Sequence, residues 1–301
     1  MGKREVRVFL RGGLGNQLFQ YALGLEVSRQ SGRNLVIRED LLPLTEDTIS
    51  GISRWPNQIL SFAHSGSTRA QSHQPNGGTN LFGKIMQLQR MIGDRAPHLL
   101  EMLGLYAAET KEFKSLGASL TRVRSINGYA SSRSYALLGR AELTSQLKDL
   151  KSPSPQFKEL YSDSTLIYPT LVHLRLGDYQ GLTEIYGELG EKYIADALSE
   201  VNSTANPIWL FTQDAEQAPK WLMDILKPAR IIDQSVLSSP LENLIIMASG
   251  FALVCSNSTM SWWSAFMHQH PENVVAPRFL GKTNIFTDDM MLEGWKLIDA
   301  D

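Results

Sequence analysis

Two α/β domains are predicted for this chain from three places where an apolar, strand-like run breaks into a polar or glycine-rich turn. Near the start, Val6-Arg7-Val8-Phe9-Leu10 is followed by Arg11-Gly12-Gly13-Leu14-Gly15-Asn16-Gln17. In the middle, Leu166-Ile167-Tyr168-Pro169-Thr170-Leu171-Val172 closes in His173-Leu174-Arg175-Leu176-Gly177-Asp178-Tyr179. Near the end, Ala252-Leu253-Val254-Cys255 runs into Ser256-Asn257-Ser258-Thr259 and then an apolar helical stretch. A strand ending abruptly in polar groups delivers them to the carboxyl edge of a sheet, where open α/β folds hold their ligands.

The first transition predicts a strand-loop-helix-strand unit. Leu18, Tyr21, Ala22, Leu25 and Val27 recur at helical spacing up to Ser31-Gly32, where glycine can stop the helix, and Leu35-Val36-Ile37 gives the next strand. Gly13 and Gly15 let the backbone come close to a group bound at the helix start. Leu18 stands where a dinucleotide fingerprint would have its third glycine, and there is no Gly-Lys-Ser/Thr of a phosphate-binding loop. Asn16 and Gln17 put two amides beside the turn, a pairing suited to sugar hydroxyls or a carbonyl. The plainer reading of the glycines is a tight turn.

The whole middle run, 166–172, reads as one buried strand. Arg175 at its end suits a phosphate, because a planar guanidinium donates several hydrogen bonds and keeps its charge. The alternative is an Arg–Asp ion pair bracing a strand end. After it, Tyr193, Ala197, Leu198 and Val201 suggest a helix, and residues 207–211 and 252–255 suggest further strands, so the second half alternates as a parallel sheet requires. The last transition is an N-cap cluster whose backbone amides can bind a phosphate. Trp262 and Trp263 read as core.

Beyond these, residues 65–80 are polar and glycine-rich and read as a mobile loop. Phe82, Ile85, Met86, Leu88, Met91 and Ile92 recur at helical spacing, giving a helix packed on the domain core or lying on a membrane surface.

Together the three segments resemble glycosyltransferase family 11, the α-1,2-fucosyltransferases. Residues 12–22, Gly-Gly-Leu-Gly-Asn-Gln-Leu-Phe-Gln-Tyr-Ala, match that family's N-terminal signature throughout. The central signature, His-x-Arg-Arg-Gly-Asp-Tyr, is met at 173–179 except that Leu176 replaces the second arginine. The C-terminal one is similar to Asn257-Ser258-Thr259-Met260-Ser261-Trp262-Trp263. Trp209-Leu210-Phe211-Thr212-Gln213-Asp214 resembles a family strand ending in acids, with Gln213 in place of one. The segment at Gly128-Tyr129-Ala130-Ser131-Ser132 lacks an aromatic and an amide. These departures bear on the acceptor and the donor sugar, not on the reaction type.

The resemblance implies a GT-B-like pair of Rossmann-type α/β domains facing a cleft. Residues 1–150 would form the acceptor side and 151–301 would bind the donor nucleotide. It implies inverting, metal-independent transfer of fucose from GDP-fucose to a galactoside-type hydroxyl in an α-1,2 linkage, in surface polysaccharide, O-antigen or oligosaccharide synthesis. Arg175, Asp178 and His173 are the candidate catalytic residues. Arg175, Asn257, Ser258, Thr259 and Asp214 are the candidate donor ligands, and Gly13, Gly15, Asn16 and Gln17 those of the acceptor or cleft. Arg11 is a candidate substitute for the missing second arginine. Asp178, Glu184 and Glu188 are the acids that could take the incoming hydroxyl's proton. The alternatives are the same chemistry on another nucleotide sugar, a non-catalytic glycan- or nucleotide-binding relative, and a dinucleotide oxidoreductase using Glu39 or Asp40 on a ribose.

The 301-residue composition, 43% hydrophobic and 20% charged, is that of a globular chain large enough for two cores. With one cysteine, Cys255, neither a disulfide nor a thiolate cluster is expected. Asp288-Asp289, and His268 with His270, lack a ligand pattern, so no metal or cofactor is expected. No apolar run is long enough to span a bilayer and no signal-peptide core precedes Val6, so the cytoplasm is expected. Charge is uneven: residues 1–150 hold 19 Lys/Arg and 12 Asp/Glu, residues 151–301 hold 10 and 19. The basic half could lean on the inner membrane face or hold a lipid-linked acceptor; a solvated surface is the alternative. Scattered basic residues without interleaved aromatics argue against nucleic acid.

Overall fold

The computed structural model describes residues 5–39, 42, 47–49, 52–54, 56–59, 62, 71–73, 105–106, 123–148, 150, 152–175, 189–201, 206–278 and 290–299. The chain divides into two compact units, one of Met1–Ile49 with Ser53–Lys151, the other of Ser50–Ile52 with Ser152–Asp301.

In the first unit, β1 (Glu5–Phe9), α1 (Leu14–Ser31) and β2 (Asn34–Arg38) form the strand-helix-strand unit expected from the periodicity. Two short strands, β3 (Asp47–Ile49) and β4 (Ile52–Arg54), pair with each other. The strands β5 (Gln71–His73), β6 (Leu105–Tyr106) and β7 (Ser125–Asn127) complete a parallel sheet in the order β5-β2-β1-β7-β6. A second helix, α2 (Arg133–Lys148), packs on α1. Two glycines permit the close approaches: a Cβ on Gly24 would meet Val8 Cγ2 at 2.5 Å, and one on Gly139 would meet Ala22 at 3.0 Å. Helix α1 is therefore buried from Leu14 to Ser28 apart from Asn16. Gly32, at φ 65°, ends it in the left-handed region that glycine enters without cost to a side chain.

The second unit runs α3 (Pro155–Ile167), β8 (Thr170–His173), α4 (Glu191–Glu200), β9 (Ile208–Phe211), α5 (Lys220–Leu226) and β10 (Arg230–Ile232). It continues with α6 (Pro240–Met247), β11 (Ala252–Val254), α7 (Thr259–Met267), β12 (Val274–Pro277) and β13 (Lys296–Ile298). All six strands are parallel, in the order β10-β9-β8-β11-β12-β13. Val172, Leu174, Leu210, Val254 and Val275 share one core with Tyr193, Ile194 and Ala197 of α4 and Leu222 and Leu226 of α5.

Two sequence expectations are corrected. The apolar run 166–172 is not a single strand: Leu166 and Ile167 are the last turn of α3, and Leu166 is 79% exposed. Pro169 disfavours helical geometry in the residue before it, and Tyr168 turns into the left-handed region at φ 57°, its N–H closing on Ser164 O. The strand starts only at Thr170. Helix α3 itself begins just past the expected domain boundary at 150/151, with Ser154 capping Phe157 N at 3.0 Å and Pro155 in the first turn. Within 65–80, read as a loop, Gln71–His73 instead form β5, paired in parallel with Val36–Arg38 of β2. The regions 65–70, 74–80 and 82–92, the acids Asp288 and Asp289, and Asp40 lie outside the described residues.

Gly250, in the turn between α6 and β11, has no room for a side chain, since a Cβ would lie 2.6 Å from Pro169 O and 2.7 Å from Leu171. Gly250→Ala is expected to lower stability by about 1–3 kcal/mol, read as a lower urea midpoint with an unchanged slope.

Candidate functional site

The second sheet brings its polar residues together where β8, β9 and β11 end. His173 is the last residue of β8 and opposes Phe211 of β9 in the parallel register. Val254, the last residue of β11, opposes Val172. Arg175 follows two residues beyond β8 and is half-buried. Across from them Ser256-Asn257-Ser258 leads into α7, all three buried and Thr259 half-buried. Ser258 is the N-cap, its Oγ accepting from Ser261 N at 3.2 Å. The structure therefore gathers His173, Arg175, Asn257, Ser258 and Thr259 at one edge. Asp178, Leu176, Glu184 and Glu188 lie outside the described residues.

The His173 ring is 8% exposed, and its Nδ1 lies 2.5 Å from Ser261 Oγ and 3.3 Å from Ser256 Oγ. Burial lowers the imidazole pKa from 6.5 to about 3, and the nearby Arg175 charge adds to the effect. The ring is thus neutral at physiological pH. Behind it, Tyr193 Oη donates to Cys255 O at 2.6 Å, tying α4 to the end of β11. Burial also pushes the Tyr193 hydroxyl and the Cys255 thiol well up, so neither ionises there. Cys255 is a core thiol.

Asp214 caps the short 3₁₀ turn Ala215–Gln217 beyond β9, accepting from Glu216 N and from Gln217 Nε2, each at 2.9 Å. Asp233, at the end of β10, is held below the usual carboxylate range, first by the Ser235 hydroxyl and then by backbone N–H groups. Thr212, also buried, places its Oγ1 at the end of β9 without a hydrogen-bond partner among the described residues.

In the first unit Gln17 and Gln20, on the first turns of α1, spend their amides on the backbone. Gln17 Nε2 donates to Gly12 O at 2.8 Å and Pro56 O at 2.9 Å, and its Oε1 accepts from Gln58 N at 2.9 Å. Gln20 brackets Arg11, accepting from its N–H at 2.8 Å and donating to its carbonyl at 3.2 Å. Arg11 reaches Asn127 Oδ1 at 2.6 Å, binding the β1 loop to the end of β7. Gly12 sits at φ 70°, and a Cβ there would meet Asn16 Nδ2 at 2.5 Å. Asn16 is half-buried, while Gly15 and Gln17 are buried and Gly13 is half-buried at the start of α1. Glu39 accepts from Asn57 Nδ2 at 2.6 Å.

Among the described residues no group of three or more His, Cys, Asp or Glu could hold a metal ion. His268 Nδ1 and His270 bond locally, and burial lowers the His268 pKa to about 4. Nor is any described helix long and apolar enough to cross a membrane. Trp262 and Trp263 are core, with Trp262 Nε1 donating to Met290 O at 2.7 Å. The sequence patterns mark Ser256 only as part of the N-cap cluster and single out neither Ser261 nor Thr212. The Ser258–Ser261 spacing of a capping turn was a usable signal; the reach of Ser261 to His173, 88 residues away, was not.

No protein-family model matches the chain. An α-1,2-colitosyltransferase of Escherichia coli is 23% identical over 278 residues, which span 89% of this chain and 89% of that relative. Among solved structures, a family 9 glycosyl transferase from Veillonella parvula matches 99% of this chain and 88% of its own, with a TM-score of 0.51 at 9% identity, a likeness of fold. Fucosyltransferase NodZ from Bradyrhizobium matches 89% of this chain and 94% of its own, with a TM-score of 0.47 at 15% identity. The chain has a GT-B-like α/β fold, with two units each built on a parallel sheet.

The buried histidines set an acid limit on stability. The unfolded chain takes up protons at His173 and His268 below about pH 6.5, which the native rings refuse until about 3 and about 4. The unfolded state then binds more protons, so stability falls as pH falls through that window. His173→Gln is expected to flatten the dependence between about pH 6 and 5 by roughly 1 kcal/mol per pH unit, measured by urea unfolding at each pH.

Proposed function

We propose that the protein is a glycosyltransferase using a nucleotide sugar, and that the donor's diphosphate lies at the carboxyl edge of the second sheet. The observation that carries this reading is the gathering of Arg175, neutral His173 and the capped start of α7 at one strand edge, in a chain related along 89% of its length to a sugar transferase. A glycosidic bond to a diphosphate breaks through an oxocarbenium-like sugar, leaving negative charge on the phosphate oxygens. Without a metal, fixed cations and N–H or O–H donors must stabilise that charge. Arg175 supplies the cation, and Ser258, Thr259 and Asn257 lie where backbone and side-chain donors converge.

The reaction we infer is inverting transfer of fucose from GDP-fucose to a galactoside-type hydroxyl, forming an α-1,2 linkage in a surface glycan. Asp178 completes the Arg175 motif, and Asp214 lies beyond β9 on the same sheet edge. In the first unit, Asn16, Gly13 and Gly15 serve the acceptor, with Gln17 holding the turn they sit on. A lipid-linked acceptor would suit the basic first half and an inner-membrane location.

The Escherichia coli relative favours a second donor. Colitose is fucose without its 3-hydroxyl. A site built to hydrogen-bond that hydroxyl would reject the deoxy sugar strongly, whereas an apolar one would discriminate weakly.

The test is binding and hydrolysis of GDP-fucose, GDP-colitose, GDP-mannose and UDP-galactose by the wild type and Arg175→Ala. We expect selective turnover of GDP-fucose, and a loss of roughly 100-fold or more in kcat for Arg175→Ala with the fold intact. Turnover of another donor alone would replace the sugar in this reading. No binding of any of the four would overturn the enzyme assignment.

A further inference from the structure

Ser261 Oγ stands at the centre of a buried hydrogen-bond cluster. It lies 3.0 Å from Ser256 N, which donates to it, 3.1 Å from Ser256 Oγ and 2.5 Å from His173 Nδ1. Ser256 is 1% exposed and Ser261 is fully buried, so water cannot complete what the cluster leaves open. A serine hydroxyl has one proton and two lone pairs, and a neutral imidazole has one donor and one acceptor nitrogen.

Two assignments use every proton, and both leave His173 Nδ1 as the acceptor. In the weaker, the Ser261 hydroxyl goes to Ser256 Oγ and the Ser256 hydroxyl to Nδ1 at 3.3 Å. In the other, the Ser261 hydroxyl faces Nδ1 over the 2.5 Å contact. The Ser256 N–H and Ser256 Oγ–H then fill the two lone pairs of Ser261 Oγ. The imidazole proton is on Nε2 in both. In the reverse assignment Nδ1–H donates to Ser261 Oγ, whose second lone pair holds the Ser256 N–H, and the Ser261 proton points to Ser256 Oγ. The Ser256 hydroxyl proton then has no acceptor among the described residues, at a cost of about 1–3 kcal/mol in a buried site. His173 Nε2 has no hydrogen-bond partner among the described residues. Among the described residues, Arg175, Cys255 and Tyr193 are the ionisable groups around the cluster, and of these Arg175 carries the charge at neutral pH.

We propose that Ser256 and Ser261 are positioning residues that hold His173 with its proton on Nε2, so that the ring gives a fixed, neutral hydrogen bond to a phosphate oxygen of the departing nucleoside diphosphate and does not act as the base. This rests on the nucleotide-sugar reading above. For an Nε2–H within reach of the Arg175 charge, an anionic oxygen is the complementary partner. No proton is transferred at His173: the ring donates one hydrogen bond, which strengthens as charge builds on the leaving group.

Two measurements test it. The first is a two-bond proton–nitrogen correlation spectrum of the full chain labelled with nitrogen-15 histidine, with His173 assigned by its absence in His173→Gln. A protonated Nε2 and a bare Nδ1, unchanged between about pH 5 and 8, are expected. A protonated Nδ1 would overturn the proposal, and this readout needs no substrate.

The second is hydrolysis of the turned-over donor. His173→Gln, whose side-chain amide places an N–H near the Nε2 position, is expected to keep kcat within roughly tenfold of wild type, while His173→Ala loses roughly 100-fold. Ser261→Ala is expected to lower kcat roughly tenfold, with less change in KM and a mixed tautomer signal, and Ser261→Thr to restore both. A folded His173→Gln as inactive as His173→Ala would mean the ring acts as a base. If the wild type turns over no nucleotide sugar, the functional reading falls, and the spectrum still decides the tautomer.

Discussion

A parallel sheet with helices on both faces leaves few places for a polar side chain, and that constraint organises the second unit. Along β8, Thr170, Leu171, Val172 and His173 are all buried. Val172 and Leu174 join the core under α4 and α5, and His173 turns to α7. Strand pairing consumes the backbone groups and helix packing consumes the side-chain surface. Charge and hydrogen-bonding capacity therefore emerge only where strands end, and β8, β9 and β11 end side by side. The candidate chemistry follows from that edge.

The same constraint explains why a histidine stands there neutral. A cationic imidazole in a site this dry, two residues from an arginine, carries both a desolvation cost and a like-charge repulsion. The two buried serines give the neutral ring its partner. They also join β11 and α7 to β8 through side chains, so the edge is fixed from three elements. Preorganised donors need this kind of support, because a phosphate-binding group that must first reorient gives back much of what it contributes.

The first unit uses its amides in the opposite sense. Gln17 looks like a ligand in the sequence because it flanks a glycine turn, yet it and Gln20 are fully buried and spend their hydrogen bonds on backbone groups of residues 11–12 and 56–58. Their work is to hold a loop that has no strand partners of its own. The tight packing of α1 through Gly24, and of α2 through Gly139, serves the same rigid platform.

Much of the fold was legible in the chain. Helix α1 and its glycine stop, the flanking strands β1 and β2, helix α4, strands β9 and β11, and the Ser258 cap all obey short-range rules of periodicity, capping and turn chemistry. The limits of β8 were misread because an apolar run looks alike as a strand or as a helix end followed by Pro169, and only packing leaves Leu166 outside. In the site, Arg175 and His173 could be picked out because charge and imidazole are conspicuous at a strand end. Serines are common, and their roles are set by whom they meet. By itself the sequence determined which residue types arrive at each turn, since those preferences act over three or four residues. Only the tertiary structure decided that Ser261 meets His173 across 88 residues and that Gln17 faces inward. Those contacts depend on strand order and register, which join segments that no local rule connects.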